Sequence, residues 1–435
     1  METLTDSFTA GVVKKRYVLG RNDDSDIGIL HLGKYLALDR STGSHVALDA
    51  LKPHAILICG KRGYGKSYTM GTLIEELSLL QPDIRENIAS LVIDTMGIFW
   101  TLGRGNGQQP ELLSEWGLQA TGFDVNVFVP TGSVEQYRKR HIDVKPFSIQ
   151  ISHLGGYEWC KLFKVDEVSP LGVLLVRVIE NLRQTQSAFS FYDVIDAIME
   201  DKRSDIVTMN AAENHFKAAI SWGVFEPESA GVTELIRDGA TSVLDVSTLT
   251  NHTVRAAVIG IIGKDIYDRR LEARRSYERM VMGDTDVEKG IPMVWMFIDE
   301  AHLFVPSDNE TLASNVIINE WLRQGRQPGL SIIFATQRPA AIHPDVVSQC
   351  DVVICHRLTA RDDISALEAI RPTYMREDIG DSIRKMGLER GIALIVDDTS
   401  EAAHIVKMRP RYSWHGGNEP SALMEKKHRL LLQKQ

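Results

Sequence analysis

Short runs of apolar residues recur along this chain and alternate with stretches of helical spacing. Residues 55–59, 89–94, 125–130, 242–246, 293–298, 330–337, 352–355 and 392–396 read as buried strands. Residues 68–80 have helical spacing without proline, and 254–275 carry a long amphipathic pattern. Strands alternating with helices predict an α/β domain on a largely parallel sheet. From 154 to 240 the character changes. Residues 171–182, 192–199 and 211–222 are helix-periodic and poor in β-branched clusters, which predicts a helical insertion, a lid or a lobe. Residues 16–50 hold short alternating patterns divided by Asp, Ser and Gly turns, the mark of a small β element. Residues 1–15 form a loose polar start, 282–290 an acidic Gly-flanked loop, and 418–435 a charged helical tail. The expected division is a β element to residue 50, a core over 51–153 and 241–417, an insertion over 154–240, and the tail.

Composition narrows the class. With 435 residues, 43% of them hydrophobic, the chain can bury an ordinary core in two or three domains. A net charge of −9 excludes a global nucleic-acid signature, so any such contact must be local. The cysteines stand at 59, 160, 350 and 355. Cys350 and Cys355 have no nearby pair to complete a zinc site, so metal ligation by thiols is rejected. Few cysteines and no signal peptide point to the cytoplasm. Apolar runs such as 256–263 fall far short of the roughly 20 residues of a membrane span.

The chemistry begins where the first strand of the core ends. Gly60-Lys61-Arg62-Gly63-Tyr64-Gly65-Lys66-Ser67 is a complete G-x-x-x-x-G-K-[ST] phosphate-binding loop between a strand and a helix. Its glycines let backbone N–H groups converge on an anion, and the helix N-terminus adds positive potential. Lys66 would reach the β- and γ-phosphates of a nucleotide, Ser67 would hold Mg²⁺, and Tyr68 closes the nucleotide-contacting stretch. Asp299 and Glu300 end another apolar strand, at the edge where open α/β sheets bind ligands. Asp299 would anchor the Mg²⁺ hydration shell, and Glu300 would orient and polarise the attacking water. Gln337 ends the next strand and can sense the γ-phosphate. Arg323 and Arg326, three apart on a helix end, share a face. Either could neutralise transition-state charge on a neighbouring subunit's nucleotide, or both could be solvated. Arg62 and Arg338 have weaker grounds. Duplex DNA would need local cations, for which 137–141 and Arg269, Arg270, Arg274 and Arg275 are candidates, with a solvated face as the alternative.

Taken in order, several motifs resemble a known family. They are the phosphate loop, Val92-Ile93-Asp94-Thr95-Met96-Gly97, Phe297-Ile298-Asp299-Glu300-Ala301-His302, Arg323-Gln324-Gly325-Arg326, Ala335-Thr336-Gln337-Arg338-Pro339, and Arg409-Pro410-Arg411 with His415-Gly416-Gly417. Over roughly residues 50–417 the chain is similar to the HerA branch of the HerA–FtsK ATPases. The resemblance implies a RecA-like P-loop core, a hexamer, ATP and Mg²⁺, and pumping of double-stranded DNA alongside a nuclease or an antiphage defence effector. It implies metal-side Asp299, catalytic Glu300, Lys66 and Ser67 on the nucleotide, sensor Gln337, and a trans-acting Arg326 or Arg323.

Two departures stand out. Family members carry an N-terminal barrel of about a hundred residues, whereas about fifty precede the core here, so the barrel reads as truncated or replaced. The second strand normally leads into an acidic position, and here it holds Ile98. Asp299-Glu300-Ala301-His302 also spells the box of a two-domain helicase superfamily, but only about 130 residues follow it, too few for a second such domain. Two rival readings are a nucleotide-dependent ring scaffold that regulates an effector enzyme and a monomeric P-loop switch.

Overall fold

The computed structural model describes residues 16–417 apart from 24, 38, 230, 287 and 370–378. The polar start and the charged tail expected from sequence lie outside the described residues. Fifteen strands form among the described residues. They are β1 (Arg16–Leu19), β2 (Ile29–Leu36), β3 (Thr42–Asp49), β4 (Ala55–Cys59), β5 (Ile88–Asp94), β6 (Asn126–Pro130), β7 (Lys145–Phe147), β8 (Ile149–Gln150), β9 (Phe225–Glu226), β10 (Thr241–Asp245), β11 (Met293–Ile298), β12 (Leu330–Thr336), β13 (Val352–Cys355), β14 (Ile392–Asp397) and β15 (Ala402–Met408).

Thirteen of these join one sheet in the order β1-β3-β2-β15-β14-β13-β4-β12-β11-β5-β10-β6-β7. From β13 to β7 every neighbouring pair is parallel. From β13 back to β3 each pair is antiparallel, and β1 lies parallel to β3. β7, with three residues, and β15, whose seven include polar His404 and Lys407, carry too little apolar run to read from sequence. β1 to β3 continue this sheet through β15.

The central parallel strands β4, β5, β11, β12 and β13 are mostly apolar because both of their faces are covered. Alternate residues serve two cores. Leu57, Cys59, Leu91, Ile93, Met296 and Ile298 face one of them. Ile56, Ile58, Val92, Trp295 and Phe297 face the other. The first core takes in the helices of the insertion, Gly156–Phe163, Pro170–Thr185, Phe191–Met199 and Ile206–Ile220. Trp159 is its centre, with the rings of Phe163, Phe191, Phe216 and Phe225 at 5.2–5.8 Å. The second core takes Met70, Leu73, Ile74 and Leu77 from the helix Lys66–Ser78, together with Leu30, Leu32 and Leu48 from β2 and β3.

The long helix runs His252–Val281, past the 275 expected from its apolar pattern. An ion pair four residues apart, Arg274–Glu278, reaches into the extension, where burial falls away.

Candidate functional site

Glycine makes the phosphate loop possible in a literal sense. Gly60, Gly63 and Gly65 have φ of +151°, +79° and +120°, which L side chains rarely adopt. A Cβ on Gly60 would also stand 2.6 Å from His356 Cβ. His356 is the floor of the loop, a place that no local motif marks. Its backbone N–H donates to the Cys59 carbonyl (2.8 Å), and Lys61 N–H donates to the Arg357 carbonyl (2.8 Å). Its Nδ1 lies 3.0 Å from the Ile392 carbonyl and its Nε2 2.9 Å from Thr69 Oγ1. A carbonyl only accepts, so the proton is on Nδ1 and Nε2 takes the Thr69 hydroxyl proton. Burial, with the Lys66 charge nearby, pushes this imidazole down to about 4 and keeps it neutral.

Lys66 opens the helix and is almost buried. Burial lowers its pKa, while Glu300 and Asp299 act to raise it. Ser67 is half-buried beside it, Lys61, Arg62 and Gly63 are exposed, and Tyr64 and Gly65 are half-buried. Tyr68 is engaged elsewhere. Its hydroxyl accepts from Arg411 N–H (2.7 Å) and donates to Gln109 Oε1 (2.9 Å).

Asp299 and Glu300 follow β11 directly. Asp299 is 2% exposed. Burial, and then the Glu300 charge, push its carboxyl up to about 7. Glu300 has φ +48°, a strained conformation for a side chain of its size. Its N–H donates to Asp299 Oδ1 (3.1 Å). Burial raises the Glu300 carboxyl against the pull of Lys66 and Arg62. Its Oε2 is buried without a hydrogen-bond partner, 3.5 Å from His302 Nδ1. That imidazole lies within reach of Thr336 Oγ1 (3.1 Å) and is lowered by burial, so it brings no charge to Glu300. β12 lies between β4 and β11, with Thr336 level with Cys59 and Phe334 level with Ile298. Gln337, one residue beyond β12, therefore stands between the phosphate loop and the acid pair.

These residues sit at the carboxyl edge of the parallel strands. Arg323 and Arg326 do not. The helix expected to carry both ends at Leu322, in a wide-turn segment Val316–Leu322, so the arginines occupy the following turn and share no helix face. Arg323 bonds Asp345 Oδ2 (3.0 Å) and Asn319 Oδ1 (2.8 Å). Arg326 Nη2 lies 3.6 Å from Asp351 Oδ2. Asp351 in turn accepts from Ala55 N–H (2.9 Å), at the start of β4. The phosphate loop follows the other end of β4, about 15 Å away for five extended residues. Neither arginine meets the Lys66 of its own chain.

Other charges prove structural. Glu75, mid-helix and fully buried, accepts from Arg409 Nη1 (2.9 Å), Arg411 Nε (3.2 Å), Tyr412 N–H (3.1 Å) and Ser413 N–H (3.0 Å). Those partners lie more than 330 residues away along the chain, out of reach of local pattern. Asp94 closes the turn after β5, accepting from the N–H groups of Met96, Gly97 and Phe99. Burial and the nearby Asp245 raise its carboxyl. Among the DNA-contact candidates, Tyr137 is core, and Arg270 is spent on the carbonyls of Pro328 and Ile291. Arg269 and Arg274 pair within their own helix.

The donor set fits a hydrated divalent cation. A buried carboxylate and a helix-start hydroxyl beside a phosphate-binding loop are oxygen donors of the kind Mg²⁺ takes together with substrate phosphates, and the cation's charge would return the Asp299 carboxyl to its ionised form. The orphaned Glu300 oxygen beside them is a buried acceptor in want of a donor.

Comparison with known proteins gives the family. The family described as Helicase HerA, central domain, matches residues 30–266, and the Helicase HerA-like C-terminal family matches 279–412. The DNA double-strand break repair helicase HerA of Pyrococcus furiosus is 26% identical over 197 residues. That match takes in 41% of this chain and 35% of the relative, about a third of its length. The protein of the same name from Sulfurisphaera tokodaii is 22% identical over 413 residues, which is 92% of this chain and 72% of the relative. Among solved structures, VirB4 of Thermoanaerobacter pseudethanolicus superposes with a TM-score of 0.54 at 14% identity, covering 93% of this chain and 99% of that one. The shared feature there is the α/β fold.

Proposed function

Because this chain belongs to the HerA helicase family, we propose that it is an ATPase that works as a ring-shaped, ATP-driven translocase on double-stranded DNA. One observation carries the reading. The residues that would bind and cleave a nucleotide gather at one edge of the sheet, and the arginines that would complete that site lie at the other, within reach only of a second copy. ATP would enter with its phosphates on the N–H groups of residues 60–67 and its γ-phosphate near Lys66. Ser67 and Asp299 would hold Mg²⁺, which neutralises phosphate charge when bound. Glu300 would orient the attacking water with its unpartnered oxygen, its pKa raised toward the working range of a general base. Gln337, between loop and acids, would register the γ-phosphate. Arg326, or else Arg323, would act on the nucleotide of the next protomer.

A hexamer and a nuclease or defence-effector partner complete the proposal. A second reading, a nucleotide-dependent scaffold for an effector, draws on the net charge of −9, which offers DNA no general attraction. The test is steady-state ATP hydrolysis with and without linear duplex DNA, for the wild type, Glu300→Gln and Arg326→Ala, with assembly size by light scattering. A ring stimulated by DNA and silenced in both variants supports the motor. A ring indifferent to DNA supports the scaffold. A monomer unaffected by Arg326→Ala overturns both.

A further inference from the structure

The two edges of the sheet are bridged by β4 and β13, and both strands start at one carboxylate. Asp351 immediately precedes β13. Its Oδ1 accepts from Ala55 N–H at the head of β4 (2.9 Å), and its Oδ2 meets His54 Nδ1 (2.7 Å). That same Oδ2 is the one facing Arg326, at 3.6 Å. His54 is itself fixed. Its Nε2 lies 3.5 Å from Asp49 Oδ2, and Asp49 Oδ1 lies 3.3 Å from Arg21 Nη1. Its backbone N–H donates to Ser331 Oγ (3.1 Å), and its carbonyl accepts from Ile332 N–H (2.8 Å). The carboxylate is therefore immobilised at both oxygens before Arg326 approaches. Arg326, by contrast, leaves 77% of its side chain in solvent. A pair so exposed adds little to stability, so stability does not account for a rigid anchor under a free guanidinium.

We infer that Asp351, locked by His54, is the positioning residue that aims Arg326 at the nucleotide of a neighbouring protomer. The inference rests on the proposed trans role of Arg326. It also goes further, because the anchor and the phosphate loop lie at opposite ends of one unit. β4 and β13 pair in register from Val352↔Ile56 to Cys355↔Cys59. Gly60 follows the one, and His356, the floor of the loop, follows the other. A displacement of the loop during turnover would reach Asp351 through two short, fully buried strands, and so would reset the arginine offered to the next site.

The experiment mixes wild-type protein with partners that bear Lys66→Ala and so contribute Arg326 but no turnover of their own. Four partners are compared: Lys66→Ala alone, with Arg326→Ala, with Asp351→Asn, and with both. Asp351→Asn in the partner is expected to lower kcat of the wild-type subunits about tenfold with KM within about twofold, as Arg326→Ala does. The Asp351→Asn/Arg326→Ala double variant should fall no lower than Arg326→Ala alone. His54→Gln, which frees the carboxylate without removing it, repeats the test should Asp351→Asn not fold, as judged by thermal melting. Wild-type subunits whose kcat is unchanged beside Asp351→Asn partners, or losses that add in the double variant, overturn the positioning role. If Arg326→Ala partners leave the wild-type subunits untouched, the trans arginine itself is wrong, and this inference falls with it.

Discussion

The two edges of the parallel sheet carry similar numbers of buried charges and treat them oppositely. At the amino edge, Arg21, Asp49, His54 and Asp351 alternate in sign and meet in ion pairs, although Arg21 Nε and His54 Nε2 have no hydrogen-bond partner of their own. At the carboxyl edge, Asp299 and Glu300 are pushed toward neutrality, one of them on a strained backbone, with an oxygen left over. Opposite charges that pair hold each other in place, whereas like charges pressed together, as Glu300 is on Asp299, call for a cation. The proposed nucleotide site lies on the side with the like charges.

The largest effect expected from breaking this contrast is at the carboxyl edge. Lys66→Ala and Glu300→Gln should each cut ATP turnover by about 10²–10⁴-fold, with Glu300→Gln still binding nucleotide in a fluorescence titration. Retained turnover in Glu300→Gln would remove the carboxyl edge from the chemistry. Next comes a satisfied pair. Glu75→Ala strands two buried arginines and should cost about 3–5 kcal/mol in denaturant unfolding, with no comparable loss in Arg326→Ala.

The amino edge should reveal itself by pH. Burial opposes the charge on His54, but Asp351 and Asp49 outweigh it and raise the imidazole from 6.5 to about 9. A raised folded-state pKa gives stabilisation that is complete below about 6.5 and lost as pH climbs through about 9. Unfolding titrations should show that loss, on the order of 3 kcal/mol, and His54→Gln should flatten it. The smallest effect is a control at the carboxyl edge. Arg138→Ala breaks an exposed pair with Glu135 and should shift stability by less than about 0.5 kcal/mol. A larger change there would show that charge itself, rather than burial, sets these responses.

The sequence made some of this plain and hid the rest for physical reasons. Apolar runs such as 293–298 announce a strand covered on both faces, and the loop at 60–67 announces its chemistry through glycines that no other residue can replace. Position along a strand also placed Asp299 at a binding edge. What stayed hidden depends on partners far away in the chain. His356 looks like any polar residue after a strand until Gly60 and Thr69 close around it. His54 and Asp351 are 297 residues apart. The end of the helix at Leu322, by contrast, is written locally in Gly325 and Pro328-Gly329 just beyond it, with Trp321 Nε1 donating to the Gly263 carbonyl (2.9 Å) as a further tie. The antiparallel end of the sheet was out of reach, because β15 is neither apolar enough nor regular enough to declare itself.

That last strand has a consequence for how the protein is made. Within the sheet, β1, β3 and β2 are attached to everything else only by the β2–β15 ladder, from Val406↔Tyr35 to Met408↔Gly33. On a ribosome adding about 5–20 residues per second, β2 would wait roughly 20–70 s for that partner to be synthesised. Through that interval its edge is open to any passing strand, so yield in a cell should depend on chaperones that cover the nascent amino-terminal segment until residue 408 has left the exit tunnel.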